Sequence, residues 1–294
     1  MEPEPRKVQW ELMLPHEMEA ALERCPTALV PLGTLEWHGR QNALGLDALK
    51  AHALCLRAAR LGGGVVLPPL YGGVGGVDQP HTVVMEPEPT FHSTVLEGWL
   101  RPLCRELRRN GFRAVILLTG HYGASQQLAV RETAVRESQR LDIPILGTPE
   151  YWLALDAGYS GDHGGPFETS LMMELMPELV DLSRLEGDPP YQGIGMGDAG
   201  RESSRELGGR LCEVMVARLA KLARRMPQWD AETRSRFIHA EQALVGYQLE
   251  AGGRNGDVWT AWHDLRPFEQ YAGWLVQERF EDIAGLVQGR RDGK

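Results

Sequence analysis

A carboxylate and an imidazole lie two residues apart in the segment Glu36-Trp37-His38, and Asp47 follows a short distance along the chain. In an extended segment, side chains two residues apart leave the same face, so those of Glu36 and His38 point together. Carboxylate oxygens and imidazole nitrogens are ligands that Zn, Mn and Fe accept in proteins. The residue types and their spacing therefore predict part of a divalent metal site.

Two further histidines have neighbours that suit the same chemistry. His121 follows a second apolar run, and His163 lies in a glycine-rich stretch that continues to Glu168. An isolated Glu-x-His triplet is common by chance, and His163 could simply stabilise a glycine-rich turn. Glu168 could favour a helix N-terminus through the helix dipole. The three segments together favour a metal site, while the roles of His163 and Glu168 stay open on this ground alone.

A predicted alternation of strands and helices positions these candidates. The predicted strands are apolar runs at 28–32, 65–67, 114–118 and 143–146. Helical patterns separate them, which is typical of a parallel sheet with right-handed crossovers, so the expected fold class is α/β. Ligands of such sheets bind beyond the carboxyl ends of the strands. Because Glu36 and His121 both follow a predicted strand, we expect them to meet at this edge.

Caps and apolar spacing set the predicted helix boundaries. A helix capped by Thr90 is predicted to bury a stripe made of Phe91, Val95, Trp99, Leu103 and Leu107. A loop is predicted from Ser160 to Ser170, followed by a helix at 171–176. Ser203 and Glu206 form a predicted capping box for a helix that reaches Met226.

The predicted core domain covers residues 1–226, and residues 227–294 form a predicted helical C-terminal extension. The extension has helical patterns at 230–250 and 267–287, separated by a polar, glycine-rich turn at 252–256. Its apolar stripes fit either an oligomer contact or a lid over the site of a neighbouring subunit.

Composition and charge exclude several classes of function. The net charge of −9 argues against a nucleic-acid or anionic-membrane partner. The first residues lack the apolar segment of a signal peptide, and no run is long enough to span a bilayer. The four cysteines are scattered without paired spacing, so we expect buried thiols in a reducing cytoplasm. The serines lack a Gly-x-Ser-x-Gly setting, so nucleophilic catalysis fits poorly.

Three motifs in this order resemble those of the creatininase (creatinine amidohydrolase) family. The first is Glu36-Trp37-His38-Gly39 with Asp47, and the second is Thr119-Gly120-His121-Tyr122-Gly123-Ala124. The third is His163-Gly164-Gly165 followed by Glu168-Thr169-Ser170. The resemblance covers roughly residues 25 to 225, and the three motifs are specific together.

The resemblance implies a three-layer αβα sandwich with a mostly parallel sheet, often assembled as a homo-oligomeric hexamer. It also implies two divalent metal ions per subunit, with zinc expected and manganese or iron as alternatives. Asp47 would bridge both ions, with Glu36 and His121 on one and His38 on the other. Creatininase itself has a glutamate where this chain has Gly123, so we expect either that Glu168 supplies the second site's carboxylate or that the second site is weak. His163 matches the family's proton carrier, and Glu168 joins it as a predicted catalytic residue.

The activity implied is hydrolysis of a non-peptide or cyclic amide C–N bond by metal-activated water. The segment Gly39-Arg40-Gln41-Asn42-Ala43 departs from the family's pattern near the pocket, so we expect a small-molecule amide other than creatinine. One alternative is a formamide or short-peptide hydrolase of a biosynthetic pathway. Another is a non-catalytic, metal-stabilised relative.

Overall fold

The computed structural model of the chain describes residues 7–77, 79–86, 93–185, 198–255 and 268–292. The helices are α1 (Pro15–Arg24), α2 (Leu46–Gly62), α3 (Thr94–Arg109), α4 (Ala124–Leu141), α5 (Pro166–Leu175), α6 (Ala199–Glu202), α7 (Arg205–Arg225), α8 (Ala231–Asn255), α9 (Tyr271–Val276) and α10 (Phe280–Arg291). The strands are β1 (Thr27–Gly33), β2 (Val65–Val66), β3 (Leu70–Tyr71), β4 (Ala114–Thr119) and β5 (Ile145–Pro149). A 3-10 helix, Glu150–Ala157, follows β5.

All strand pairs of the sheet are parallel, in the order β2-β1-β4-β5, with β3 also beside β1. Every residue of β1 and β4 is buried, which is the pattern of strands that are covered on both faces. The parallel sheet predicted from the apolar runs is confirmed. The two-residue strand β3 was not predicted, because it directly follows Pro68-Pro69 and is too short to show a pattern.

Helices cover both faces of the sheet. On one face, Leu29 and Ile116 pack in a cluster with Leu54 of α2 and Met215 of α7. On the other face the cluster contains residues of β1, α1, α3, β4 and α4, among them Val30, Ala21, Leu100, Val115 and Ala129. This is the three-layer αβα sandwich that the resemblance implies.

The helical C-terminal part is present, as the sequence predicts. Phe237 and Leu244 of α8, Tyr271 of α9 and Phe280 of α10 belong to the same apolar cluster as α2 and α7. Helix α8 extends to Asn255, so the turn predicted at 252–256 is wrong for residues 252–255. Among the described helices, none combines the length and apolar character needed to span a bilayer.

Helix α3 differs from its prediction in both start and buried face. Its N-cap is Ser93, whose Oγ accepts a hydrogen bond from Leu96 N at 2.9 Å. The predicted cap was Thr90, and the predicted stripe began at Phe91. Both residues lie outside the described residues. Val95 and Trp99 are 40% and 43% exposed. A row with four-residue spacing advances around a 3.6-residue helix, so the predicted row that ends at buried Leu107 is on the solvent side at Val95 and Trp99. The residues actually buried are Leu96, Glu97, Leu100, Cys104 and Leu107.

Two further helix starts are corrected. Helix α5 begins at Pro166, so Glu168 and its neighbours up to Ser170 are helical, not part of a loop. Proline is favoured in the first turn, and the carboxylate of Asp162 accepts the amide hydrogens of Phe167 and Glu168 at 2.7 and 3.1 Å. Helix α7 is capped by Ser204, whose Oγ accepts a hydrogen bond from Leu207 N, whereas Ser203 is the C-cap of α6.

Candidate metal centre

The candidate residues lie where β1, β4, α2 and α5 meet. The segment of Glu36 and His38 follows β1, His121 follows β4, and Asp47 lies in the first turn of α2. Because β1 and β4 are paired, their carboxyl ends are adjacent and the two following segments converge. These four side chains are between 1% and 4% exposed.

A first group of possible ligands consists of Glu36, Asp47 and His121. Nδ1 of His121 lies 2.9 Å from Glu36 Oε2 and 3.1 Å from Asp47 Oδ2. Nε2 of the same ring donates to the carbonyl oxygen of Val74 at 3.1 Å. That hydrogen bond orients the ring and leaves Nδ1 to face the carboxylates, as in histidines that ligate metals. The possible ligand atoms of the three residues lie within 4.8 Å of one another.

A second group consists of His38, Asp47 and Glu168, with the same 4.8 Å limit. Nε2 of His38 lies 3.0 Å from Asp47 Oδ1 and 3.7 Å from Glu168 Oε2, while its Nδ1 donates to the carbonyl oxygen of Glu36 at 3.0 Å. Asp47 thus directs one carboxylate oxygen at His121 and the other at His38. Gly123 has no side chain to offer, and Glu168 is a second carboxylate that faces His38.

The electrostatics of the cluster suit a divalent cation. Glu36 Oε2 and Asp47 Oδ1 are buried without a conventional hydrogen bond, which is costly for a carboxylate oxygen unless a cation lies nearby. Burial alone lowers the pKa of His38, but the carboxylates of Asp47, Glu168 and Glu36 outweigh burial and raise the pKa to about 9. Burial also lowers the pKa of His121. The carboxylates of Glu36 and Asp47 outweigh burial and raise that pKa well above its ordinary value. The residues present therefore fit a metal centre, because the buried carboxylates stabilise positive charge beside the two imidazoles.

His163 lies at the more open side of the cluster, with 18% of its side chain exposed. Its Nε2 donates to the carbonyl oxygen of Trp37 at 2.7 Å, and its Nδ1 is 3.9 Å from Glu36 Oε2. Burial and the neighbouring His38 lower the pKa of His163. A neutral ring with a free Nδ1 suits a proton carrier. The possible ligand atoms of Glu36, His38 and His163 also lie within 4.8 Å of one another, so the geometry permits metal ligation by His163 as well.

Sequence reasoning missed the charged residues behind this cluster. Lys50 is fully buried in α2 and forms ion pairs with Glu150 and Glu168. Its position three residues after Asp47 places both on one face of the helix, which was a readable signal.

The chain is similar to known proteins in both sequence and structure. The family described as creatinine amidohydrolase matches residues 11–223. The creatinine amidohydrolase of Pseudomonas putida is 30% identical over 250 residues, which cover 71% of this chain and 92% of that protein.

Two of the similar solved structures are metal forms of creatininase. A mutant creatininase of the Zn-Zn type is 30% identical with a TM-score of 0.56, covering 75% of this chain and 99% of that one. A manganese creatininase is 29% identical with a TM-score of 0.58 and the same coverage. The sequence match, the shared fold and the cluster of possible ligands lead to one conclusion: the chain belongs to the creatininase family.

Proposed function

We propose that the chain is a metal-dependent amidohydrolase that cleaves a non-peptide or cyclic amide C–N bond. The observation that carries this proposal is the position of Asp47, whose Oδ2 lies 3.1 Å from His121 Nδ1 and whose Oδ1 lies 3.0 Å from His38 Nε2. One carboxylate between two imidazoles is an arrangement suited to holding a pair of divalent ions.

The chain's own residues would divide the work as follows. Glu36 and His121 would hold one ion and His38 and Glu168 the other, with Asp47 shared. Zinc is the expected metal, with manganese or iron as alternatives. When bound, such ions polarise a carbonyl oxygen and lower the pKa of a bound water to near neutral.

His163 would handle the proton. Because its Nε2 donates to Trp37 O, the free Nδ1 is the atom able to take a proton and pass it to the departing nitrogen. Its lowered pKa keeps this imidazole neutral and ready to accept at neutral pH. The neighbouring carboxylates, 3.9 Å away at the nearest, would stabilise the cation that forms.

The test combines metal analysis with turnover. The freshly purified protein is analysed for metals, stripped with a chelator, reloaded with Zn, Mn or Fe separately, and assayed on cyclic amides, linear amides, formamides and short peptides. We expect two ions per chain and the fastest turnover on a small cyclic or non-peptide amide. Asp47→Asn should lose both ions and activity together, whereas Asp156→Asn, in a surface pair with Arg218, should lose neither.

Other results would contradict the proposal. Tightly held metal with no hydrolysis across the panel would identify a metal-stabilised, non-catalytic relative. Preferential cleavage of formamides or short peptides would show that the substrate is not a cyclic or other non-peptide amide of the proposed class.

A further inference from the structure

Lys50 is a charged residue of this region to which the proposed reaction gives no task. Its ammonium group is fully buried, contacts Glu168 Oε1, and lies 3.0 Å from both Glu150 Oε1 and the hydroxyl of Tyr122. It also lies over the ring of Tyr122, 4.1 Å from the centroid. A buried lysine is costly unless it is paired, and here two carboxylates pair with it.

The two oxygens of Glu168 have different partners. Oε1 contacts the ammonium of Lys50, whereas Oε2 accepts the amide hydrogen of Gly164 at 2.7 Å and lies 3.7 Å from His38 Nε2. Lys50 thus engages Oε1, and the oxygen directed at His38 in this arrangement is Oε2.

Lys50 and Asp47 also share a rigid support. Both belong to α2, three residues apart, so their side chains leave the same face of the helix. The helix that supplies the shared carboxylate thus also supplies the cation that orients Glu168. The distance between the two is set by helix geometry rather than by a loop.

We propose that Lys50 is a positioning residue of the second cation site: by holding Oε1 of Glu168, it fixes Oε2 as the third ligand beside His38 and Asp47. The inference rests on the proposed function, since it concerns the second of the two ions. It also accounts for a site that works without a side chain at Gly123. Residues that hydrogen-bond to metal ligands typically change metal affinity by about 10–100-fold when they are mutated.

A purely structural role for Lys50 is the competing explanation. In that case the lysine serves only to neutralise Glu150, whose Oε1 it contacts and which also accepts from the hydroxyl of Tyr122. The two explanations differ in which ion responds to its removal. Among the described residues, Lys50 forms its hydrogen bonds and ion pairs with Glu168, Glu150 and Tyr122, none of which is an expected ligand of the first ion. The first ion, expected at Glu36, Asp47 and His121, therefore provides an internal control.

The experiment compares Glu150→Gln with the double variant Lys50→Met/Glu150→Gln. The double variant removes one cation and one anion together, so it leaves no unpaired Glu150 and keeps the net charge of the parent. Metal-stripped protein is titrated with Zn²⁺ by calorimetry and with Co²⁺ by visible absorption. Thermal unfolding of the stripped proteins establishes that both variants are folded.

We expect the double variant to bind the first ion within twofold of Glu150→Gln and the second ion about 10–100-fold more weakly. The Co²⁺ spectrum of the second equivalent should change, and that of the first should not. Equal affinity for the second ion in both variants, or equal weakening of both ions, would overturn the role of Lys50 and leave the metal pair intact. A parent protein that binds fewer than two ions would instead refute the metal pair, and this inference with it.

Discussion

A Cβ atom placed on Gly120 would lie 2.1 Å from the backbone carbonyl oxygen of Asp47. The end of β4 therefore runs directly against the first turn of α2, with no room for a side chain between them. Gly33 at the end of β1 has the same relation to Ala48, with a Cβ at 2.2 Å from its backbone nitrogen. Two glycines thus allow the helix that carries Asp47 to approach the strand ends that lead to Glu36 and His121.

Gly120→Ala should move α2 away from β4 and impair the metal cluster. The added methyl meets backbone atoms that cannot rotate aside, and overpacking of this kind costs about 1–3 kcal/mol of unfolding free energy. We expect weaker metal binding and a lower melting temperature, measured by calorimetric metal titration and thermal unfolding. The control is Gly209→Ala in α7, where a Cβ would meet no atom within 4 Å. Unchanged metal affinity in Gly120→Ala would show that this close approach does not position Asp47.

The sequence allowed this edge of the sheet to be predicted because its signals are local. The fully apolar runs of β1 and β4 mark buried parallel strands, and Glu36, His38 and His121 follow them directly. The carboxyl-end rule then brings the segments together without knowledge of side-chain packing. Asp47, which the spacing of the first motif groups with them, lies in the first turn of α2.

Features that depend on long-range packing could not be predicted. Lys50 is paired with Glu150 and Glu168, which lie far along the chain, and nothing near Lys50 in the sequence identifies them. The prediction of the buried face of α3 was wrong because two adjacent apolar rows compete on that helix, and packing against α4 and the sheet selects between them. The start of α5 was missed because its capping carboxylate, Asp162, acts from outside the helix.

His163→Gln should separate proton transfer from metal binding. Loss of a general acid or base typically slows turnover by about 100-fold or more, while the proposed ligands of both ions remain in place. Turnover on the best amide and metal content per chain are measured on the same preparations. His16→Gln, at an exposed position in α1, is the matched control. Loss of an ion from His163→Gln would make this histidine a ligand, which the 4.8 Å group with Glu36 and His38 also permits.

Metal removal should reverse the pH dependence of stability. Neighbouring carboxylates outweigh burial and raise the pKa of His38 from 6.5 to about 9, so the protonated ring stabilises the metal-free protein fully below pH 6.5. That contribution is lost as the pH rises through about 9. Burial, opposed by Lys50, raises the pKa of Glu150 to about 7, which acts in the same direction. The metal-loaded protein should instead gain stability over this range, because ions bind the deprotonated imidazoles.

Melting temperatures of stripped and zinc-loaded protein between pH 6 and pH 9.5 measure this effect. His38→Gln should flatten the profile of the stripped protein, because it removes a group whose protonation differs between the folded and unfolded states. Parallel profiles for the stripped and loaded forms would mean that protons and metal do not compete for these imidazoles.

Glu241→Gln should destabilise the packing of the C-terminal helices without affecting the metal cluster. Glu241 of α8 lies 3.5 Å from the guanidinium of Arg131 in α4 and accepts the hydroxyl hydrogen of Tyr271 in α9 at 2.8 Å. The side chain of Arg131 is 0% exposed, so removing the carboxylate leaves a buried charge without its anionic partner. Removing one member of a buried pair costs about 3–5 kcal/mol.

Glu281→Gln provides the comparison, because Glu281 forms a surface pair with Arg236. The side chain of Glu281 is 63% exposed and that of Arg236 is 39% exposed. Surface pairs contribute about 0–1 kcal/mol to the free energy of unfolding. Urea unfolding of both variants gives the free energies, and metal titration of each should match the parent. A cost for Glu241→Gln no larger than that for Glu281→Gln would show that the Arg131 pair does not hold α8 to α4. The attachment would then rest on the apolar contacts of Phe237, Leu244 and Phe280, which bury these three side chains against the same cluster as α7.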